Sequence, residues 1–339
     1  MSKENVTSTD VARRAGVSQS AVSRVFTPGA SVSTSTREKV LSAARELGYR
    51  PNPIARAMIT GKSRIIGLVV AYLDNQFYPV ALELLSRSLQ ERGYHILVFM
   101  AENSTEGVAQ VMEELVSYKV DGIVTASVAM SNELTNLCDA SGIPVVMFNR
   151  GQNDLRLNEV TSDNVAGGRT VANFLVAGGH TRIAHIAGWQ GASTGRDRAE
   201  GFSDGLAQHG LVPFAVLDGM YKREIAAEQA RTLFSGAERP DAVFVGNDHM
   251  AFAVMDVLRF ELGLSVPNDV SVVGYDDVPI SAWPAYDLTT IRQPVNRMVA
   301  ATVDTLMSRI GGDKEPRHIA IPGSLVIRGS ARRPKGFAQ

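Results

Sequence analysis

From Ile65 onward the chain alternates short, continuous apolar runs with longer stretches of helical periodicity. Ile65-Ile-Gly-Leu-Val-Val-Ala71, His95–Met100, Gly122–Thr125 and Ile143–Phe148 are too short for helices and apolar on successive residues. That is the pattern of strands buried on both faces of a parallel sheet. Between them, Val80–Arg92 and Glu106–Lys119 place apolar residues three and four apart, which predicts helices. A second set repeats the grammar, with helices over Val165–Val176, Asp197–His209, Glu224–Phe234 and Met250–Leu262 and strands over Ile183–Ile186, Ala242–Val245 and Val270–Val273. The alternation predicts two doubly wound α/β subdomains. An internal echo supports the division: Val120-Asp-Gly-Ile-Val-Thr-Ala is matched by Pro240-Asp-Ala-Val-Phe-Val-Gly. A helix over Val295–Ile310 and strands near Ile319 and Leu325 follow after the second half is complete.

The residues before Ile65 read differently. Thr7 to Phe26 holds two short helical patterns joined by Gly16-Val17-Ser18, a helix-turn-helix signature. Thr7, with Asp10 three residues on, starts the first helix: a hydroxyl accepts from free N–H groups and a carboxylate suits the positive end of the dipole. Gly16 supplies the left-handed backbone at the turn. Ser18 caps a second helix that turns Ala21, Val22 and Val25 inward and leaves Gln19, Ser20, Ser23 and Arg24 on the other side. Short donors and acceptors with one guanidinium suit base edges and phosphates in a major groove. A third helix is expected from a Ser35-x-x-Glu38 capping box through Val40, Ala44 and Leu47 to Gly48.

Asp10-Val-Ala-x-x-Ala-Gly-Val-Ser, Val22-Ser-Arg-Val, Thr36-Arg-Glu-Lys-Val and Leu47-Gly-Tyr-Arg-Pro-Asn52 resemble the LacI/GalR family of bacterial repressors. The resemblance implies a second helix in the major groove, with Gln19 and Ser20 reading bases and Arg24 as a further contact. It also implies a hinge helix from Pro53 to about Ile59 that pushes an apolar wedge into the minor groove of the operator. Met58 stands where many members have Leu. The expected DNA-contacting set is Thr7, Gln19, Ser20, Ser23 and Arg24 in the head, with Ala57 and Met58 in the hinge. Ser8 departs from the Leu or Ile usual in helix one, and Phe26-Thr-Pro-Gly-Ala30 replaces a Leu-Asn-Gly turn.

The implied fold is an N-terminal all-α helix-turn-helix head plus an α/β periplasmic-binding-protein-like core of two doubly wound parallel-sheet subdomains. The expected boundaries are 1–50 for the head, 51–64 for the hinge and 65–339 for the core. Within the core, one subdomain takes about 65–161 and 293–322 and the other about 162–292 and 323–330, with crossings near Thr161, Arg292 and Pro322.

Charge sharpens this picture. The net charge is -1, yet residues 1–64 carry 11 Lys/Arg against 4 Asp/Glu while the remainder carries 23 against 31. A basic head on an acidic body fits a chain in which the head alone meets polyanionic DNA. Cys138 is the only cysteine, so no intrachain disulfide or cysteine-based metal cluster is possible. The N-terminus lacks the apolar core of a signal peptide and no run approaches the ~20 residues of a membrane span, so a cytoplasmic protein is expected. The chain ends without an apolar heptad helix, which favours a homodimer over a tetramer.

Ligands of open α/β sheets bind beyond the carboxyl ends of the strands. There lie Asp74-Asn-Gln-Phe77-Tyr78, Asn149-Arg150, Thr194 with Arg198, Asn247-Asp248 and Asp276-Asp277. Aromatic rings beside amides, carboxylates and guanidinium groups suit a small polyhydroxylated ligand, a sugar or polyol. The resemblance implies Phe77, Tyr78, Asn149, Asp163, Thr194, Arg198, Asn247 and Asp276 as effector contacts. Tyr221 and Trp283 are candidate lids, although Trp283 equally suits subdomain packing. No cofactor is implied. A solute-binding protein would share the cleft but not the head. Gly191-Ala-Ser193-Thr-Gly195 matches the nucleophile elbow of serine hydrolases, with Asp276 and His318 following in order, but Gly188-Trp-Gln separates it from the strand end. No H-E-x-x-H, Walker A or G-x-G-x-x-G motif occurs. The expectation is a DNA-binding regulator, not an enzyme.

Overall fold

The computed structural model describes residues 6–27, 29–50, 62–101, 105–128, 132–152 and 154–335. It divides into two compact units, Met1–Ser63 and Arg64–Gln339.

In the first unit α1 (Ser8–Ala15), α2 (Gln19–Val25) and α3 (Thr34–Leu47) enclose a small core of Val11, Ala12, Val22, Val25, Val40, Ala43 and Ala44. Thr7 caps α1 as expected: its Oγ1 accepts from Asp10 N at 3.4 Å while the Asp10 carboxylate accepts from Thr7 N at 3.0 Å. Gly16 takes φ 65°, and Ser18 Oγ accepts from Ala21 N at 3.2 Å. The start of α3 differs from the expectation. Ser33, not Ser35, is its cap, accepting from Thr36 N at 3.2 Å. Ser33-Thr-Ser-Thr36 offers several hydroxyls of equal chemistry, so the packing of Val40, Ala43 and Ala44 selects among them.

The second unit holds two six-stranded sheets. The first has the order β11-β5-β4-β3-β1-β2 and is built from β1 (Ile65–Val70), β2 (His95–Met100), β3 (Gly122–Ala126), β4 (Val145–Phe148), β5 (Asn158–Ser162) and the late β11 (His318–Ile321). The second has the order β12-β10-β9-β8-β6-β7, from β6 (Ile183–Ala187), β7 (Val216–Asp218), β8 (Ala242–Val245), β9 (Ser271–Asp276), β10 (Thr289–Arg292) and β12 (Ser324–Val326). All pairings are parallel except β10 with β12. The chain changes sheet between Ser162 and Asn164, between Arg292 and Val295, and between Ile321 and Ser324. The helix Val295–Ile310 thus packs on β4, β5 and the helix Phe77–Glu91 of the first sheet, although it follows a strand of the second.

Three strands and one helix carry no clear local pattern. β5 buries Asn158 and Ser162, with Asn158 Nδ2 donating to Val145 O at 3.1 Å, so polar residues occupy interior positions. β7 is a three-residue edge and β10 buries Thr289 and Thr290. The helix Asn132–Ser141 is similarly poor in apolar periodicity. Elsewhere, the expected helix over Met250–Leu262 is α-helical from Asp248 to Asp256 and widens into a π-helical turn at Val257–Glu261.

The helices Asn164–Ala177 and Ser193–Ala207 cross at unusually short range. A Cβ on Gly168 would lie 2.3 Å from Arg198 O, and one on Gly201 would lie 2.0 Å from Val165 O. Gly168 is therefore a contact point between helices, and Gly167 abuts the Tyr275 ring of β9, rather than the two being only a helix start. This close crossing carries Arg198 to the strand ends.

Candidate functional site

In the head, α2 is amphipathic in the expected sense. Val22 and Val25 are buried, and Gln19, Ser20, Ser23 and Arg24 are exposed on the opposite side. Gln19 Nε2 donates to Ser8 Oγ at 3.0 Å, so the unusual serine of α1 holds the side chain expected to read bases. Ser20 Oγ lies 2.9 Å from Ser18 Oγ, and Arg24 Nε donates to Ser20 O at 3.4 Å. The Thr7 hydroxyl donates to Asp10 Oδ2 at 2.7 Å. Ala57 and Met58 lie outside the described residues.

In the core, the polar groups expected beyond the strand ends form two linked clusters. The first is centred on Asp276 at the end of β9. Arg198, 2% exposed, donates through Nε to Asn164 Oδ1 at 2.9 Å and through Nη1 to Gly246 O at 2.7 Å. Its guanidinium lies 3.7 Å from the Tyr275 ring centroid, and its Nη2 is 3.6 Å from Asp276 Oδ1. Asp276 Oδ1 accepts from Gln293 Nε2 at 2.6 Å and Oδ2 from Asn75 Nδ2 at 3.2 Å. Asn75 belongs to the first-sheet subdomain and Asp276 to the second, so this bond spans the cleft. A second bridge runs from Gly151 N to Ser193 Oγ at 2.9 Å.

The second cluster surrounds Arg150. Its Nη1 donates to Ser127 O at 2.5 Å and its Nη2 to Tyr72 OH at 2.9 Å. Beside it Asn149 Nδ2 donates to Tyr78 OH at 3.2 Å, and Tyr72 and Tyr78 meet edge to face at 5.3 Å. From the opposite subdomain Tyr221 OH donates to Thr194 Oγ1 at 3.0 Å.

Several of these residues hold strained backbones: Asn149 has φ 70°, Tyr221 φ 57°, Asp276 φ 128° and Asp277 φ 57°. Non-glycine residues in the left-handed region cost of order 1–3 kcal/mol each and persist where surrounding contacts hold them.

Several expected contacts also have roles in holding the fold. Phe77 is buried and stacked on Phe148 with centroids 6.0 Å apart, which makes it the floor beneath Tyr78. Asp163 Oδ1 accepts from Ala166 N at 2.9 Å as a helix cap, and Asn247 Oδ1 does the same for Met250 N at 2.9 Å. Trp283 is 55% exposed on the surface. Conversely Tyr72, Asn164 and Gln293 join the clusters without a local signal for that role, and Asn75, which lay in an expected strand-end stretch, joins them where no contact was assigned to it. Their partners are remote in sequence, Asn75 lying 201 residues from Asp276.

Electrostatics distinguish two neighbouring carboxyls. Asp248, fully buried, accepts from Val278 N at 3.0 Å, Ser281 Oγ at 2.6 Å and Thr290 Oγ1 at 2.6 Å. Burial, followed by repulsion from Asp276, pushes it up to about 7. Burial also raises Asp276, against the opposing pull of Arg198 and of the bonds from Gln293 and Asn75. Within the second sheet, burial lowers His185 of β6 to about 4, and its ring stacks on Phe244 at 4.5 Å.

The elbow-like Ser193 has its hydroxyl engaged by Gly151 N, while His318 lies beside Glu159 at 3.3 Å in the other sheet. The pieces of a hydrolase triad are thus not assembled. A separate cavity of about 620 Å³, lined by Cys138, Arg156, Arg309 and Lys314 among others, contains none of the expected effector residues. Burial raises the Cys138 thiol to about 12. Among the described residues no helix is long and apolar enough to cross a membrane.

Residues 7–52 match the model of bacterial regulatory proteins of the lacI family, and residues 172–331 match a periplasmic binding protein-like domain. The ribose operon repressor of Escherichia coli is 32% identical over 328 residues, covering 95% of this chain and 98% of that one. The HTH-type transcriptional repressor PurR of Haemophilus influenzae is 32% identical over 330 residues, with the same coverage of 95% and 98%. Among solved structures, the lac repressor dimer bound to operator and the anti-inducer ONPF is similar with a TM-score of 0.88 at 29% identity, over 96% of this chain and 99% of that one. With a helix-turn-helix head, two parallel sheets crossed three times and near-complete alignment to these repressors, the chain belongs to the LacI family of transcriptional regulators.

Proposed function

We propose that the chain is a cytoplasmic, homodimeric repressor whose two heads read a roughly palindromic operator and whose operator affinity is set by a sugar or polyol bound between the core subdomains. Residues 1–50 form the head, 51–64 the hinge and 65–339 the effector-binding and dimerisation core. The observation that carries this reading is the Asp276 cluster, in which Asn75 of one subdomain, Arg198 of the other and Gln293 of the crossover between them share one carboxylate. A ligand hydroxyl that takes the place of any of these partners ties occupancy to the relative position of the subdomains. Coupling of this kind changes operator affinity by about 5–150-fold.

At least one solved relative carries a carbohydrate. A LacI family regulator of Enterococcus faecium carries bound ribose, at 25% identity and a TM-score of 0.72 over 80% of this chain and 99% of that one. For the dimer, the edge strand β2 exposes Val98 and Met100, and the edge β7 exposes Val216. Phe260 is 82% exposed. Apolar side chains along free sheet edges are the material of a subunit interface.

The test is fluorescence anisotropy of the full-length protein on DNA from its own promoter region, across salt and with pentoses, hexoses and disaccharides. Tight binding that weakens steeply with salt and shifts with at least one sugar is expected. Binding that is absent, or indifferent to both salt and every sugar, would overturn the proposal.

A further inference from the structure

Among the described residues two arginines are buried, Arg198 at 2% exposure and Arg150 at 5%. They are treated differently by the fold. Arg198 has the Asp276 carboxylate at 3.6 Å. Arg150 has no carboxylate partner among the described residues: its contacts are Ser127 O, the Tyr72 phenol and the faces of Tyr72 and Tyr221, each ring centroid 5.9 Å away. Its Nε is buried without a hydrogen-bond partner. Buried charges are ordinarily paired, because removing one from water without a counter-charge is strongly unfavourable.

The groups around Arg150 are rich in donors. The Tyr72 phenol accepts from Arg150 and hydrogen-bonds to Tyr78, while the Tyr78 phenol accepts from Asn149 and keeps its own proton to donate. At the same end of the cleft Asn149 Oδ1 is buried without a donor, a place for a ligand hydroxyl. Of the two buried guanidinium groups only Arg198 has a carboxylate, that of Asp276, set against it.

We propose that the effector is an anionic carbohydrate, whose carboxylate or phosphoryl group sits against Arg150 while its hydroxyls engage the Asp276 cluster. This rests on the reading of the cleft as an effector site. A carboxylate pairs with a guanidinium in a bidentate fork, and a phosphoryl group offers the same oxygen geometry with more charge.

The experiment titrates the full-length protein by calorimetry with matched triplets: a neutral sugar or polyol, the corresponding sugar acid and the corresponding sugar phosphate, with inorganic phosphate alone as a further arm. The same titrations are run on Arg150→Gln and on Arg150→Lys, the latter keeping the charge should the former fail to fold. In at least one triplet an anionic member is expected to bind about tenfold or more tightly than its neutral counterpart, the size of a charge-assisted hydrogen bond. Arg150→Gln removes that preference; Arg150→Lys keeps part of it. Whether the acid or the phosphate carries the preference identifies the source of the anion. Neutral members that bind as tightly as their anionic partners in every triplet that binds, or a preference unchanged in Arg150→Gln, overturn the inference while leaving the cleft reading in place. Binding of no member of any triplet overturns both.

Discussion

The Asn75 amide donates to Asp276 Oδ2 at 3.2 Å, joining two residues that sit on different subdomains and 201 positions apart in the chain. The same carboxylate receives Gln293 and faces Arg198, so Asp276 is the point at which the two halves of the core and a buried cation meet.

Asp276→Asn tests that meeting point. An amide at 276 presents donor hydrogens where Gln293 Nε2 and Asn75 Nδ2 already donate, and it leaves Arg198 without a counter-charge. Breaking one partner of a buried pair costs about 3–5 kcal/mol. The variant is expected to lose effector response and to melt lower than the parent, measured by thermal unfolding with and without ligand. Unchanged ligand binding would remove Asp276 from the site.

Gly201→Ala is expected to destabilise the core by about 1–3 kcal/mol, because the new methyl has only backbone in front of it. Its Cβ would stand 2.0 Å from Val165 O. The helix Ser193–Ala207 must then move, and Arg198 with it. Denaturant unfolding and ligand titration read the two effects separately; a neutral result on both would sink the close-crossing argument.

On DNA, Gln19→Ala should cost about 1–3 kcal/mol on the specific operator and relax the preference at one base position. Ser8→Ala should cost less, since it only frees the Gln19 amide that Ser8 now holds at 3.0 Å. Competition binding across single-base operator variants checks the order of the two effects.

Asp248 predicts an unusual pH dependence. Its folded value stands at about 7 against an ordinary 3.8. Between those values the folded state binds the proton and the unfolded state does not, so this contribution to stability is present at low pH and is lost as pH rises towards 7. His185 works the other way: with a folded value of about 4 it must stay neutral, and its contribution is lost as pH falls below 6.5. Melting curves of the parent and of Asp248→Asn from pH 4 to 8 isolate the first effect. The difference between the two proteins should shrink steadily from acid to neutral pH; a constant difference would refute the assignment.

What the sequence by itself determined is whatever depends on residues close together along the chain. Thr7, Gly16 and Ser18 act within one helical turn, and the apolar runs of β1, β3 and β8 demand burial on both faces, whereas the equally apolar β2 was placed by the fold at an exposed sheet edge. Arg198 and Asp276 were legible because they follow strand ends and match a family pattern. Tertiary structure alone decided which partners reach them. Nothing near Gln293 or Asn75 announces Asp276 as the partner, and Arg150, although it follows a strand end, does not announce that Tyr72, Ser127 and Tyr221 enclose it. The same holds for Gly168 and Gly201, whose lack of a side chain matters only because another helix passes within contact of each. Periodicity and capping are local and so survive in the one-dimensional text, whereas pairing and burial of charge are properties of the packed chain.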